Sequence, residues 1–429
     1  MQSVWSRCLN VARLNTVAVL ALSVLVATGC ATRTATQADT QAASSEESAS
    51  AADARRLARE ATTPAVAPPF VVSDDATSAQ LERALDDGKA VRAELEWVER
   101  EESAASGELA AGEYIVTYLI TPVDDYYDLE AAQSSSPAHH TTVQPGSAHV
   151  SVVVRDASDG RMVQGLDVRA TLRPDSGGRS RTVTLPFGWH PILNRYGENV
   201  VLPDGSFTLA VHIAMPAYRR GDAINGNRFT RDVTAIFPHV SVSTDSLAAA
   251  SRRLAHGESR ESVRLANREA EILDGQIAEA LRSDGEAGAH GLEVRSGDYR
   301  VAVTVQAARG YWQVRAGTLT YVRTDTSVGP AAHIGVTVRD AETGRFIPGL
   351  KVRATLLDAR GREIDTYAMP FMWHPWLNHY GLNVAVPGQG RYTVHVHADA
   401  PGFRRYGSSA LRKFNRSVNA EVRGLRFAR

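Results

Sequence analysis

Residues 370–387 read PFMWHPWLNHYGLNVAVP, and residues 186–203 read PFGWHPILNRYGENVVLP. The two stretches align without a gap at an offset of 184 residues. One scaffold is therefore present twice, and a repeat of this length sets the architecture before any single strand is assigned. The copies differ where it matters chemically. The later copy has Met372 and His379 where the earlier has Gly188 and Arg195. Thioether and imidazole are donors for soft and borderline metals, so the candidate ligands are complete in one copy only.

The repeat extends in both directions. AHVSVVVRDASDGRMVQGLDVRATL (148–172) matches AHIGVTVRDAETGRFIPGLKVRATL (332–356), each reading as strand, tight turn, strand. AAGEYIVTYLI (110–120) matches RSGDYRVAVTV (295–305), and FTLAVHIAMP (207–216) matches YTVHVHADAP (392–401). Short alternating strands at this spacing predict an antiparallel sandwich. Upstream, Leu81, Leu85, Val91, Leu95 and Val98 recur at helical spacing, with Gly88 weakening the middle; residues 259–282 carry a second such pattern. The expectation is a mainly β chain with two tandem immunoglobulin-like antiparallel β-sandwich domains, each preceded by a helical segment. The boundaries read as a signal peptide at 1–29, a lipidated Cys30 with a disordered tether over 30–74, helix plus first domain at 75–240, a helical linker at 241–290 and a second domain at 291–429.

The chain has 429 residues, 22% charged and 43% hydrophobic, with net charge −1. Lys stands only at positions 89, 351 and 413, and no basic block occurs, which argues against nucleic acid as a partner. At the N-terminus, Arg7 and Arg13 precede an apolar run over 16–27 and then VATGC, ending at Cys30. This is the layout of a secretory signal, too short to span a membrane. VATGC resembles the lipobox of bacterial lipoproteins, with Ala27 where Leu is usual; an ordinary secretory signal followed by a free Cys is the other reading. If Cys30 is lipidated, Cys8 leaves with the signal and no disulfide is possible. The Ala-, Thr-, Ser- and Gln-rich stretch after Cys30 cannot bury enough apolar surface to offset its ordering. Lipidation implies a cell-envelope protein on the periplasmic side, with Ala31 pointing to the outer membrane.

AHIGVTVRDAETGRFIPGL, MPFM and HYGLNVAVPGQGRYTVHVHADAP together resemble the periplasmic Fe2+-transport proteins. These are immunoglobulin-like, often dimeric, copper- and iron-binding proteins encoded near iron-uptake systems. The resemblance covers about 295–405, with 110–220 as a decayed copy. It implies ligand roles for His333, Met372 and His379. It also implies a carboxylate two residues after the first His, where this chain has Gly335, and a further His with no counterpart in FRRYGSSALRKF. Its dimers make pairing of the two domains within the chain, or a homodimer, an expectation. A metal transporter is the implied partner.

Two imidazoles and a thioether suit copper, while loss of the carboxylate at Gly335 disfavours iron relative to copper or zinc. His374, His395 and His397 are weaker candidates; the last two share one face of a predicted strand, with Val394 and Val396 facing the core. Several of these residues have twins: His149 for His333, His190 for His374, His212 for His397. A hydrogen bond common to both copies accounts for such pairs as well as ligation does. The YGxN motif reads as a turn scaffold, with Gly chosen for its backbone freedom. Arg219-Arg220 and Arg404-Arg405 read as solvated strand ends. No GxSxG, HExxH, phosphate-cradling loop or nucleophilic Cys is present, so no enzyme is expected. Two function readings follow: an envelope-anchored copper- or iron-binding accessory protein of metal uptake, or a non-catalytic interaction lipoprotein with a vestigial site.

Overall fold

A computed structural model describes residues 69–128, 139–140, 146–254, 259–282, 291–324, 331–385, 388, 390–407 and 413–427. The expected signal segment, Cys30 and most of the expected tether lie outside the described residues.

Three helices form among them: α1 (Ser78–Glu101), α2 (Thr244–Leu254) and α3 (Arg260–Ala280). Helix α1 starts at a capping box. Thr77 Oγ1 accepts from the Gln80 amide, and Gln80 Oε1 accepts from the Thr77 amide at 2.8 Å. Of the predicted face, Leu81, Val91, Leu95 and Val98 are buried and Leu85 is part-buried. Gly88 has a different role from the expected weak point. A Cβ there would stand 1.8 Å from the Asp159 carbonyl oxygen, so glycine lets the helix seat directly on that turn. Helix α3, capped by Ser259, runs antiparallel to α1: Arg83 pairs with Glu279 at one end and Arg100 with Glu261 at the other.

The strands of the first half are β1 (Ala105–Ala111), β2 (Tyr114–Pro122), β3 (Tyr126–Asp128), β4 (His139–His140), β5 (Ser147–Asp156), β6 (Val168–Pro174), β7 (Arg181–Thr184), β8 (Phe187–Trp189), β9 (Arg195–Val201), β10 (Gly205–Ile213), β11 (Arg219–Arg220) and β12 (Val233–Val242). After α2 and α3 come β13 (Leu292–Ser296), β14 (Tyr299–Ala307), β15 (Tyr311–Arg315), β16 (Thr318–Val322), β17 (Ala331–Asp340), β18 (Val352–Leu357), β19 (Glu363–Met369), β20 (Phe371–Trp373), β21 (His379–Ala385), β22 (Tyr392–Ala398), β23 (Arg404–Tyr406) and β24 (Val418–Leu425).

Each half pairs an eight-stranded sheet with a four-stranded one. Alternate residues point inward from both sheets. Val150, Val152 and Val154 from β5 meet Leu209, Val211 and Ile213 from β10 in one core. Ile334, Val336 and Val338 from β17 meet Val394 and Val396 from β22 in the other. The chain is mainly β and built of antiparallel sandwiches, as the sequence predicts.

The strand order contains an exchange. The first large sheet runs β1-β2-β5-β9-β8-β23-β3-β4, and the second runs β13-β14-β17-β21-β20-β11-β15-β16. Strand β23 of the second half thus lies between β8 and β3 of the first, parallel to β8 with Arg404 beside Gly188. Strand β11 of the first half lies between β20 and β15 of the second, parallel to β20 with Arg219 beside Met372. The other strand pairs among the described residues are antiparallel. Tryptophans cross as well: Trp373 is in the core of the first half and Trp189 in that of the second.

The arginine pairs are therefore not solvated ends. Arg220 and Arg405 are both 0% exposed. Arg220 donates to the carbonyls of Pro216, Tyr218 and Phe229, and Arg405 to those of Pro401, Phe403, Lys413 and Phe414. A guanidinium offers five donors in a fixed fork, which makes burial tolerable when carbonyls converge on it. Residues 69–74, expected to belong to the tether, are among the described residues and pack on the fold. Phe70 is buried against Trp373, and Asn225 donates to the Val72 carbonyl at 2.8 Å.

Candidate metal centre

His333 is on β17, His379 opens β21, and Met372 is on β20, directly opposite His379 in the β20–β21 pair. His333 lies across from Asn383, and Gly335 across from Gly381. These two glycines create the room. A Cβ on Gly381 would stand 2.5 Å from His333 Nε2, and one on Gly335 would stand 2.7 Å from Thr304 Oγ1. The glycine of the YGxN motif is thus required for space, not for backbone conformation as the sequence suggests. Gly197 repeats this against His149 Nε2, at 2.4 Å.

The two imidazoles meet nitrogen to nitrogen. His333 Nε2 and His379 Nε2 are 3.0 Å apart, with the rings nearly perpendicular. Their other nitrogens fix the tautomers. Asn383 Nδ2 donates to the Arg309 carbonyl, which turns Asn383 Oδ1 toward His333, so His333 Nδ1 carries the proton that bridges them at 2.9 Å. His379 Nδ1 donates to the Leu377 carbonyl at 3.1 Å. Both Nε2 atoms consequently present lone pairs to each other. Burial, then the neighbouring charge of His333 and His374, holds His379 down to about 3; burial also lowers His333. Both rings are neutral near pH 7.

Asp75, Arg309, Met372 and His374 join them around one cavity of about 40 Å³. His374 Nε2 bonds the Asp75 carboxylate at 3.1 Å, and Arg309 Nε lies 2.7 Å from the same group. Burial would raise Asp75, but the His374 hydrogen bond and charge, with Arg309, outweigh it and hold the carboxylate at about 2. The exchanged segment adds Gly221, whose Cβ would stand 2.5 Å from His374 Cδ2. Arg161 fixes the His374 carbonyl at 2.9 Å from across the two halves. Among the described residues, no three His, Cys, Asp or Glu side chains converge as a ready metal cage. What the cavity offers is a bare imidazole pair, with a thioether on the strand beside it.

His395 and His397 lie elsewhere. They are on β22, in the smaller sheet, half-exposed beside Glu421 and Asp399 respectively. Cys30 lies outside the described residues.

The twin position in the first half is filled. His149 bonds Asn199 as His333 bonds Asn383, at 3.0 Å. Its neighbour is Arg195, buried and paired with Asp124 at 2.8 Å and Glu102 at 3.4 Å. Tyr406, from the exchanged β23, packs on the His149 ring with centroids 5.0 Å apart, over Gly188. A cation and a phenol ring thus occupy what the second half leaves open. Asp75, Arg309 and Gly221 were missed in the sequence. The readable signal was the residue after each arginine pair: glycine in YRRG, tyrosine in FRRY.

Residues 332–411 match the model of the Fe2+ transport protein family. Among solved structures, the chain is similar to a copper-bound variant of FetP from uropathogenic Escherichia coli strain F11, at 16% identity over 33% of this chain and 97% of that one, with a TM-score of 0.23. It is also similar to the same strain's FetP as isolated after recombinant expression in the periplasm, at 18% identity over 33% and 94%, with a TM-score of 0.22. No curated protein matches the chain. Among the described residues, no helix is long and apolar enough to cross a membrane.

Proposed function

We propose that this chain is an envelope-anchored accessory protein of iron or metal uptake, with one metal-binding site in its second half. The observation that carries the reading is the His333–His379 pair. Two part-buried acceptors held 3.0 Å apart repel each other unless something positive sits on them. Two nitrogens bound to one ion at ~2.0–2.1 Å stand roughly 3 Å apart, so the pair already has a ligand spacing. Met372 supplies a soft third donor. The set suits copper, with Zn(II) and Fe(II) as further cargo, since imidazole accepts all three and thioether favours the softest. The Fe2+-transport family match over 332–411 supports the same cargo class for this half. Anchoring through Cys30 on the periplasmic side of the outer membrane, and delivery to a membrane transporter, complete the reading.

The test is titration of the full chain with Cu(II), Cu(I), Zn(II) and Fe(II), beside His333→Ala, His379→Ala and His149→Ala. One ion bound per chain, lost in the first two variants and kept in the third, supports the reading. A chain that binds none of these ions overturns it and leaves an interaction module with a vestigial site. Metabolic labelling with palmitate, in wild type and Cys30→Ala, tests the anchor.

A further inference from the structure

We infer that His374 is a third imidazole donor of this site and that Asp75, from the segment just before α1, is its positioning carboxylate. The inference rests on the metal-site reading above and adds residues that the family resemblance does not supply.

The argument begins with a comparison inside the molecule. His190 and His374 are twins, and both backbone amides donate to the Asn four residues on, at 3.1 and 3.2 Å. The side chains then diverge. His190 Nδ1 accepts from the amides of Ile192 and Leu193, at 3.2 and 3.4 Å, so its lone pair is used locally. His374 instead gives its Nε2 to Asp75. A carboxylate only accepts, so Nε2 carries the proton, and in the neutral ring Nδ1 carries the lone pair. That Nδ1 is buried and has no hydrogen-bond partner. Leaving a buried acceptor unmatched is unfavourable, and the local solution used by His190 was available to it. His374 lines the same cavity as His333 and His379, its ring centroid 6.2 Å from that of His379. The rings of His333, His374 and His379 therefore line one small space, and the Nδ1 of His374 is the buried nitrogen there left without a partner.

Asp75 fits the second half of the inference. A ligating histidine commonly donates its other N–H to a carboxylate, which fixes the tautomer and raises its basicity. Asp75 is itself fixed by Arg309 at 2.7 Å. Its segment is anchored by Ala223 donating to Asp74 at 2.7 Å and by the Ser73–Asp222 hydrogen bond. The negative charge absent at Gly335 thus re-enters the site from a residue 299 positions away from His374. The bare glycine at 221 leaves the His374 ring its place.

The experiment is Cu(II) electron paramagnetic resonance with nitrogen superhyperfine analysis, plus Cu(II) titration. It uses the full-length chain, His374→Gln and Asp75→Asn, with melting temperatures of the metal-free proteins as the control for folding. The expected result is three nitrogen donors in wild type and two in His374→Gln. Asp75→Asn is expected to keep three nitrogens and weaken binding by roughly 10–100-fold. Asp75 is only part-buried in an N-terminal segment, so this variant still reports should His374→Gln fail to fold. Wild-type nitrogen count and affinity in both variants overturn the inference while leaving the His333–His379 site standing. A wild-type chain that takes up no Cu(II), alone or in competition with Zn(II), overturns both.

Discussion

Gly188 lies beneath the ring of Tyr406: a Cβ on it would stand 2.0 Å from Tyr406 Cε2. Gly188→Ala therefore overpacks the closed site, and a loss of about 1–3 kcal/mol in unfolding free energy is expected. Gly221→Ala presses on His374 Cδ2 at 2.5 Å. Both variants should melt lower than wild type, but only Gly221→Ala should weaken metal binding. Thermal unfolding and metal titration on the same samples separate the two effects.

Met372 is buried, and leucine fills a similar volume without sulfur. Met372→Leu should cost under about 1.5 kcal/mol in stability. It should reduce Cu(I) affinity by at least about tenfold and leave Zn(II) affinity within a few fold, because thioether matters to the soft ion. Equal losses for both ions would remove Met372 from the ligand set.

The site should resist acid. Two exposed imidazoles titrating at the ordinary value near 6.5 lose about three orders of magnitude in metal affinity between pH 7.5 and pH 5. His379 is held to about 3 and His333 is also lowered, so protons compete far less here. Zn(II) affinity should therefore fall less between pH 7.5 and pH 5 than it would for such an exposed pair. The metal-free fold bears the converse cost. A histidine whose native pKa lies below its unfolded one is protonated first in the unfolded chain. Stability should therefore fall as pH drops from about 6.5 toward 3, with His149, also held to about 3, adding to the slope. Chemical denaturation at several pH values measures this.

Arg405 satisfies four carbonyls around the exchanged strand, those of Pro401 and Phe414 in buried hydrogen bonds. Arg405→Ala strands acceptors that each cost about 1–3 kcal/mol, so a loss of at least ~3 kcal/mol is expected. Arg405→Lys should recover little, because one ammonium cannot span the positions a planar fork reaches. Arg220→Ala should behave alike in the second half. Urea unfolding of the three variants tests the set.

Strands such as β6, β18, β22 and β24 were legible because burial alternates along them, and the duplication made each half a check on the other. Helix α1 was legible from its apolar spacing. The exchange was not. Arg-Arg after Pro has the composition of a surface turn, and nothing local in PAYRRG or PGFRRY tells that carbonyls close around a buried guanidinium. The glycines at 381 and 197 were assigned a backbone role because sequence shows the missing side chain and not the ring that occupies its space. His333, Met372 and His379 could be named because the twin stretches differ at the last two and the family pattern holds all three. Asp75 could not, since its partner is remote in sequence and its own segment reads as the end of a tether.

The exchanged strands also set an order of events. Arg404 pairs beside Gly188, so the first large sheet has a gap between β8 and β3 until synthesis has passed residue 404. Closing such distant pairings is slow compared with local ones. The N-terminal half cannot finish ahead of the C-terminal half, however early it emerges from the ribosome. A chain cut short before residue 404 leaves the first sheet open and neither half complete. Fusion of the two copies thus makes folding all-or-none over both: a damaged second half is reported at once as a failure of the first.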